Sequence, residues 1–279
     1  MTITPQMVKE LRESTGAGMA DCKKALEETQ GNFDEAVEFL RKKGAASAAK
    51  RSDREANEGI VQTLSNANHT KAILVEITCE TDFVAKNAEY ISYVDTVANT
   101  LLNSTATTRE ELLNLKVGNE TIQDLHNGIL AKFSEKIDIK RVVVYETAGY
   151  IESYIHGGAK LGVLLDISTN NLNDTAKQYV KDIAMQIAAM KPIAVDRNGV
   201  DSTTLEKEKE IYIEQAIQEG KKADIAEKVA LGRVEKFYKE SCLIEQVFVK
   251  DSKKTISDLV KEIGTDVKIN RFERIAIGE

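Results

Sequence analysis

The hydrophobic positions of this chain are spaced first for helices and then, from Gly59 on, for strands and helices in alternation. Thr4 reads as a helix cap with Pro5 at the first helical position, and Val8, Leu11 and the stop at Gly16 delimit the first helix. The spacing predicts a second helix over 19–29, closed by Gly31. Asn32 caps a third, with Phe33, Ala36, Val37 and Leu40 on one face and Gly44 as its end. A domain of residues 1–45 built this way has a small apolar core and is marginal alone. Residues 46–57, rich in Ala and carrying Lys50, Arg51 and Arg54, read as a mobile, helical linker.

Beyond the linker the same pattern occurs twice, 90 residues apart. Gly59, Ile60, Val61 and Leu64 match Gly149, Tyr150, Ile151 and Tyr154, and Leu74 to Ile77 match Leu164 to Ile167. Val94, Val97 and Ala98 match Ala184, Ile187 and Ala188 in a following helix. Internal repetition of strand, turn, strand and helix predicts two related α+β subdomains, 58–140 and 141–279. Ile73, Val75 and Ile77 alternate with Ala72, Leu74 and Glu76 in the second strand, and Thr81 can cap a helix starting at Asp82. The copies diverge there: Leu172 and Asn173 fall opposite Asp82 and Phe83, so whatever that junction does, one copy does it.

An insertion at about 203–243 is helical and charged. Tyr212, Ile213, Ala216 and Ile217 line one arm and Ala226, Ala230, Val234 and Phe237 the other, with a turn at Gly220 and Lys221, which predicts an antiparallel coiled-coil hairpin. Strands at 246–249 and 268–277, with a helix over 256–263 between them, are expected to return to the second sheet. The fold class is α+β.

Composition narrows the function. The 279 residues are 42% hydrophobic and 30% charged, with no apolar run of membrane-spanning length and no apolar signal core at the N-terminus, so a cytoplasmic protein is expected. A net charge of −7 argues against a protein that neutralises many phosphates and points to protein partners rather than nucleic acid. Cys22, Cys79 and Cys242 lie far apart without metal spacing, and His69, His126 and His156 form no cluster, so neither metal nor cofactor is expected. Gly16 and Gly18 lack the rest of a phosphate loop and follow a helix rather than a strand, which suits a tight turn better. No nucleophile signature is present, and an enzyme with dispersed catalytic residues stays an open alternative. Basic residues at Lys23, Lys24 and 41–43 are interleaved with acids and read as a solvated surface.

The segment TDFVAKN at 81–87, together with LRESTGAGMADCKKAL at 11–26, resembles the paired signature of bacterial elongation factor Ts. The similarity continues through SYIHGGAKLGVLL around His156, Lys191-Pro192 and residues 226–237. The resemblance implies a ubiquitin-associated-like (UBA-like) N-terminal domain and a protruding coiled coil. It implies nucleotide exchange on the translational GTPase elongation factor Tu, bound in its GDP and nucleotide-free forms. It assigns Phe83 to insertion between helices of the partner's nucleotide domain, Asp82 to displacement of Mg²⁺, and Thr81 and Val84 to the direction of the tip. It places Met19 and Ala20 against another helix of that domain and His156 against the partner's third domain. Ala20 stands where many members have a second Met, which weakens that contact. Longer members carry a C-terminal module; this sequence ends at Glu279, and contacts of that module are not expected.

A nanomolar GDP complex is worth about 12 kcal/mol, and each 1.4 kcal/mol removed from it is about tenfold in affinity. Such a factor and the nucleotide weaken each other equally, and neither is consumed. The competing reading is a non-catalytic adaptor that captures a protein through the UBA-like domain, which removal of residues 1–45 would disable entirely. Oligomeric state is left open.

Overall fold

The computed structural model describes residues 2–279. It begins with α1 (Pro5–Thr15), α2 (Met19–Glu28) and α3 (Phe33–Ala49). The Thr4 side chain accepts the Met7 N–H, and Gly16 ends α1 at φ 66°. Leu11, Cys22, Ala25, Leu26, Ala36 and Leu40 form a small core. Phe33 stays exposed and Phe39 packs in its stead.

Gly44 does not end the third helix; it lies inside α3. A Cβ there would stand 2.8 Å from that of Ala131, so the glycine admits a close helix crossing rather than a stop. Residues 50–57 are turn, bend and irregular chain, not helix. Arg51 is buried and donates to three backbone carbonyls, those of Leu130, Phe133 and Glu135, which fixes a segment expected to be mobile.

The first core copy runs β1 (Glu58–Ser65), β2 (Lys71–Cys79), α4 (Asp82–Ala85), α5 (Ala88–Leu102), α6 (Arg109–Leu113), β3 (Lys116–Val117), β4 (Glu120–Thr121), α7 (Ile122–Lys132) and β5 (Asp138–Glu146). The second runs β6 (Tyr150–His156), β7 (Leu161–Ile167), α8 (Asp174–Met190), α9 (Ser202–Gln218), α10 (Ala223–Ser241), β8 (Val247–Phe248), β9 (Asp251–Thr255), α11 (Ile256–Ile263) and β10 (Ile269–Ala276). Each copy forms an antiparallel three-stranded sheet, β1-β2-β5 and β10-β7-β6. The sheets pack face to face with helices outside, so the central strand β2 is apolar on both sides. Ile73, Val75 and Ile77 meet the helices, while Ala72 and Leu74 meet Ile151, Leu164 and Ile275 of the other sheet. Gly162 makes that approach possible, since a Cβ there would stand 2.7 Å from Val61 Cγ1.

Hydrogen bonds show the duplication as a pseudo-twofold. Val61 N–H donates to Ala159 O at 2.8 Å and Ile151 N–H to His69 O at 2.7 Å; Thr147 N–H donates to Thr70 O and Ile277 N–H to Lys160 O, each at 2.9 Å. His69 and Ala159 both sit at positive φ, 55° and 65°. The buried acid of each central strand, Glu76 or Asp166, pairs with the arginine opposite, Arg141 or Arg271. Those arginines also reach across the dyad, Arg141 to Ala276 O and Arg271 to Glu146 O, both at 3.1 Å.

The expected strand at 246–249 does not join the second sheet. β8 pairs only with β9, in a small hairpin before α11 that repeats the β3–β4 hairpin before α7. Both helices then begin with a threonine capping box, Thr121 with Asp124 and Thr255 with Asp258. In the inserted hairpin Gly220 turns the chain at φ 83°, and Ala216, Ala226, Ala230 and Val234 fill the seam. Ile217, assigned to that seam by spacing, is exposed.

Candidate functional site

The sheet runs out where β2 ends: Cys79 pairs with Glu58, and Thr78 with Asp138. The chain then turns into the one-turn helix α4, with Thr81 as its cap accepting the Val84 N–H. Val84 and Ala85 are buried against the first core. That leaves Phe83 pointing away, 82% exposed, the most exposed of the large hydrophobic side chains described. Burying a Phe side chain is worth about 1.5–3 kcal/mol, so this exposure is a standing cost that a partner surface can recover.

Beside it, Asp82 accepts a hydrogen bond from Lys86 Nζ at 2.7 Å. That bond holds the Asp82 carboxyl below its ordinary range and the Lys86 ammonium above it. Both groups are open to solvent, so the pair is weak and Asp82 is free to change partner.

The tip is not an isolated loop. Glu135, in the turn between α7 and β5, accepts the N–H groups of Glu80 and Thr81 at 3.1 and 3.0 Å and the Thr81 hydroxyl at 2.6 Å. Glu80 in return accepts the Lys136 N–H at 2.6 Å, a bond that holds its carboxyl below the ordinary range, with Arg54 adding to it at 3.2 Å. Sequence reasoning missed Glu135, Lys136, Arg51 and Arg54 as part of this site. Glu135 lies far from the tip in sequence and in no motif, and only the sheet topology brings it there.

His156 is exposed at the end of β6, with Nδ1 2.8 Å from the Tyr154 hydroxyl. The turn that follows it, through Gly157 and Gly158 at φ 62° and 65°, comes back against β1. A cleft of about 370 Å³ is lined by Ala85 and Lys86 of the tip on one side and 158–160 on the other, so the tip and the His156 turn share one end of the core. Met19 and Ala20 start α2 on the N-terminal bundle, both exposed. Next to them Asp21 lines a second cleft, of about 360 Å³, together with Arg51, Arg54 and Phe133 of the region that mounts the tip.

No group of His, Cys, Asp and Glu among the described residues is arranged to hold a metal ion, and no described helix is long and apolar enough to cross a membrane. Cys22, Cys79 and Cys242 are buried free thiols, each pushed up by burial, Cys79 and Cys242 to about 11. They are poor nucleophiles at neutral pH. Phe83 and the Asp82–Lys86 pair thus stand together, open to solvent, on a helical turn whose base, Val84 and Ala85, is buried in the first core.

The model of the family described as elongation factor TS matches residues 80–279. Proteins called elongation factor Ts are similar over nearly the whole chain. The one from Clostridium kluyveri is 47% identical over 99% of this chain and 93% of its own length, that from Clostridium botulinum 46% with the same coverage. The Chlorobaculum tepidum protein is 44% identical over 99% of both. The chain belongs to the elongation factor Ts family.

Proposed function

We propose that this protein is a guanine nucleotide exchange factor for elongation factor Tu, promoting GDP release in the cytoplasm during translation without chemistry of its own. The observation that carries the reading is Phe83, held 82% exposed at the end of a buried strand. Family membership supplies the partner. A preformed aromatic wedge gains apolar contact in the complex while few rotamers are frozen. Driven between helices of the nucleotide domain, Phe83 would disturb the phosphate site, and Asp82, released from Lys86, would compete for the region of Mg²⁺. Thr81 caps the tip and Val84 anchors it. His156 and the pair Met19 and Ala20 would supply further contacts, His156 from the same end of the core as the tip.

Release of fluorescent GDP from elongation factor Tu tests this. The intact protein is expected to accelerate release at substoichiometric amounts. Binding without acceleration would leave the adaptor reading. Cutting at residue 45 does not separate the two readings cleanly, because α3 continues to Ala49 and packs on α7. Met19→Asp on the exposed start of α2 does: an adaptor loses binding, whereas the exchange factor keeps its tip-dependent activity at reduced affinity.

A further inference from the structure

A four-residue helix has no stability of its own, so α4 keeps its place only through what grips its start. The backbone N–H groups of Glu80 and Thr81 lie just past the last paired residue of β2, where neither β1 nor β5 offers a carbonyl. One carboxylate satisfies both and takes the Thr81 hydroxyl as well. Hydrogen bonds to an ionised acceptor are about twice as strong as neutral ones. We propose that Glu135 is the positioning residue of the Asp82-Phe83 tip. Arg51 fixes Glu135 in turn, so the linker from the N-terminal bundle and the tip share one mount. The inference rests on the reading of the tip as the exchange element.

Three observations support it. Arg51 donates to Glu135 O at 2.6 Å, Phe133 O at 2.8 Å and Leu130 O at 3.2 Å, closing the turn that carries the carboxylate. Lys136 Nζ donates to Ser52 O and Arg54 O at 2.5 and 2.9 Å, tying the same turn to the linker. The second copy, which has no such tip, has Asn171 at the place of Thr81 and, with β10 laid on β5 so that Arg271 falls on Arg141, Thr265 at the place of Glu135. There the Asn171 N–H turns to the Thr169 hydroxyl at 3.2 Å. The carboxylate occurs in the copy that has the tip.

The test is a cycle of Phe83→Ala, Glu135→Ala and both together in the full chain, read as the saturating rate of GDP release from elongation factor Tu. Glu135→Ala is expected to lower that rate about tenfold. Added to Phe83→Ala it should lower the rate by clearly less than about tenfold, because the ring is gone and only Asp82 remains to be positioned. Glu135→Gln, whose amide oxygen still accepts the two N–H groups, should recover most of the loss. Amide hydrogen exchange at Glu80 and Thr81 should accelerate at least about tenfold in Glu135→Ala while interior β2 amides stay protected. If Glu135→Ala disturbs the core, Glu135→Asp is the second variant, keeping the charge on a side chain too short to hold all three bonds while leaving the Thr81 cap in place, and it should show the same lack of additivity. An unchanged rate in Glu135→Ala, or losses that multiply with Phe83→Ala, overturns the proposal. If Phe83→Ala itself has no effect, the reading of the tip falls, and this inference with it.

Discussion

The Tyr93 hydroxyl lies 2.7 Å from Nδ1 of His126, a buried bond between α5 and α7 on the outer face of the first sheet. Burial pushes the His126 imidazole down to about 4; Asp138 nearby opposes that shift and Arg109 adds to it, both by less. A neutral ring accepts the hydroxyl, so protonation would remove this bond as well as strand a buried charge.

Stability should therefore fall with acid. The unfolded chain takes up a proton near pH 6.5, while the folded one resists until about 4. The contribution is fully present above about pH 6.5 and is lost as pH falls toward 4, by about 2–3 kcal/mol from this group. Denaturant titrations at pH 7.5 and 4.5 check it, with His126→Gln expected to flatten the difference by that amount.

Glycines at the duplicated strand starts are not interchangeable with alanine. A Cβ at Gly59 or Gly149 would run into the carbonyl oxygen of Ile77 or Ile167, equivalent atoms of the two copies. Gly149→Ala should cost about 2–4 kcal/mol, since backbone must move. Gly232, inside α10 with open space around it, is the control: Gly232→Ala should stabilise by about 0.5–1 kcal/mol. Thermal midpoints of the two variants should move in opposite directions.

At the base of the hairpin, Arg197 bonds Glu245 at 2.7 and 2.8 Å and Glu235 at 3.0 and 2.9 Å, and its guanidinium lies 4.5 Å from the Tyr238 ring centre. These carboxylates push the guanidinium pKa further up. Lys cannot make two forked pairs and stack at once. Arg197→Lys should raise amide exchange in the last two turns of α10 almost as much as Arg197→Ala, and an undisturbed α10 in the Lys variant would show that the fork contributes nothing.

Much of this architecture was legible in the sequence because it is local or repeated. The caps at Thr4, Asn32 and Thr81 and the 90-residue repeat need only spacing to be seen. Gly44 misled because a glycine that stops a helix and one that admits a neighbour look alike until Ala131 is in place. The strand at 246–249 misled because its residues pair in a small hairpin of β8 with β9, not in the sheet. Ile217 fits a helical stripe, yet the seam closes over Ala216, Ala226, Ala230 and Val234 and leaves it exposed. At the site, Thr81 to Val84 could be picked out by motif, whereas Glu135 and Arg51 act through contacts across about fifty and eighty residues of chain, respectively, that no local pattern records.

Removing the Phe83 ring should leave the fold alone, within about 0.5 kcal/mol, since the side chain touches little. Its loss should be felt only in the complex, where about 1.5–3 kcal/mol of burial corresponds to roughly ten- to a hundredfold. The most direct measurement is the saturating rate of fluorescent GDP release from elongation factor Tu with the intact protein and with Phe83→Ala, each checked for an unchanged thermal midpoint. At least a tenfold lower rate for the folded variant is the predicted result. Equal rates would contradict the account.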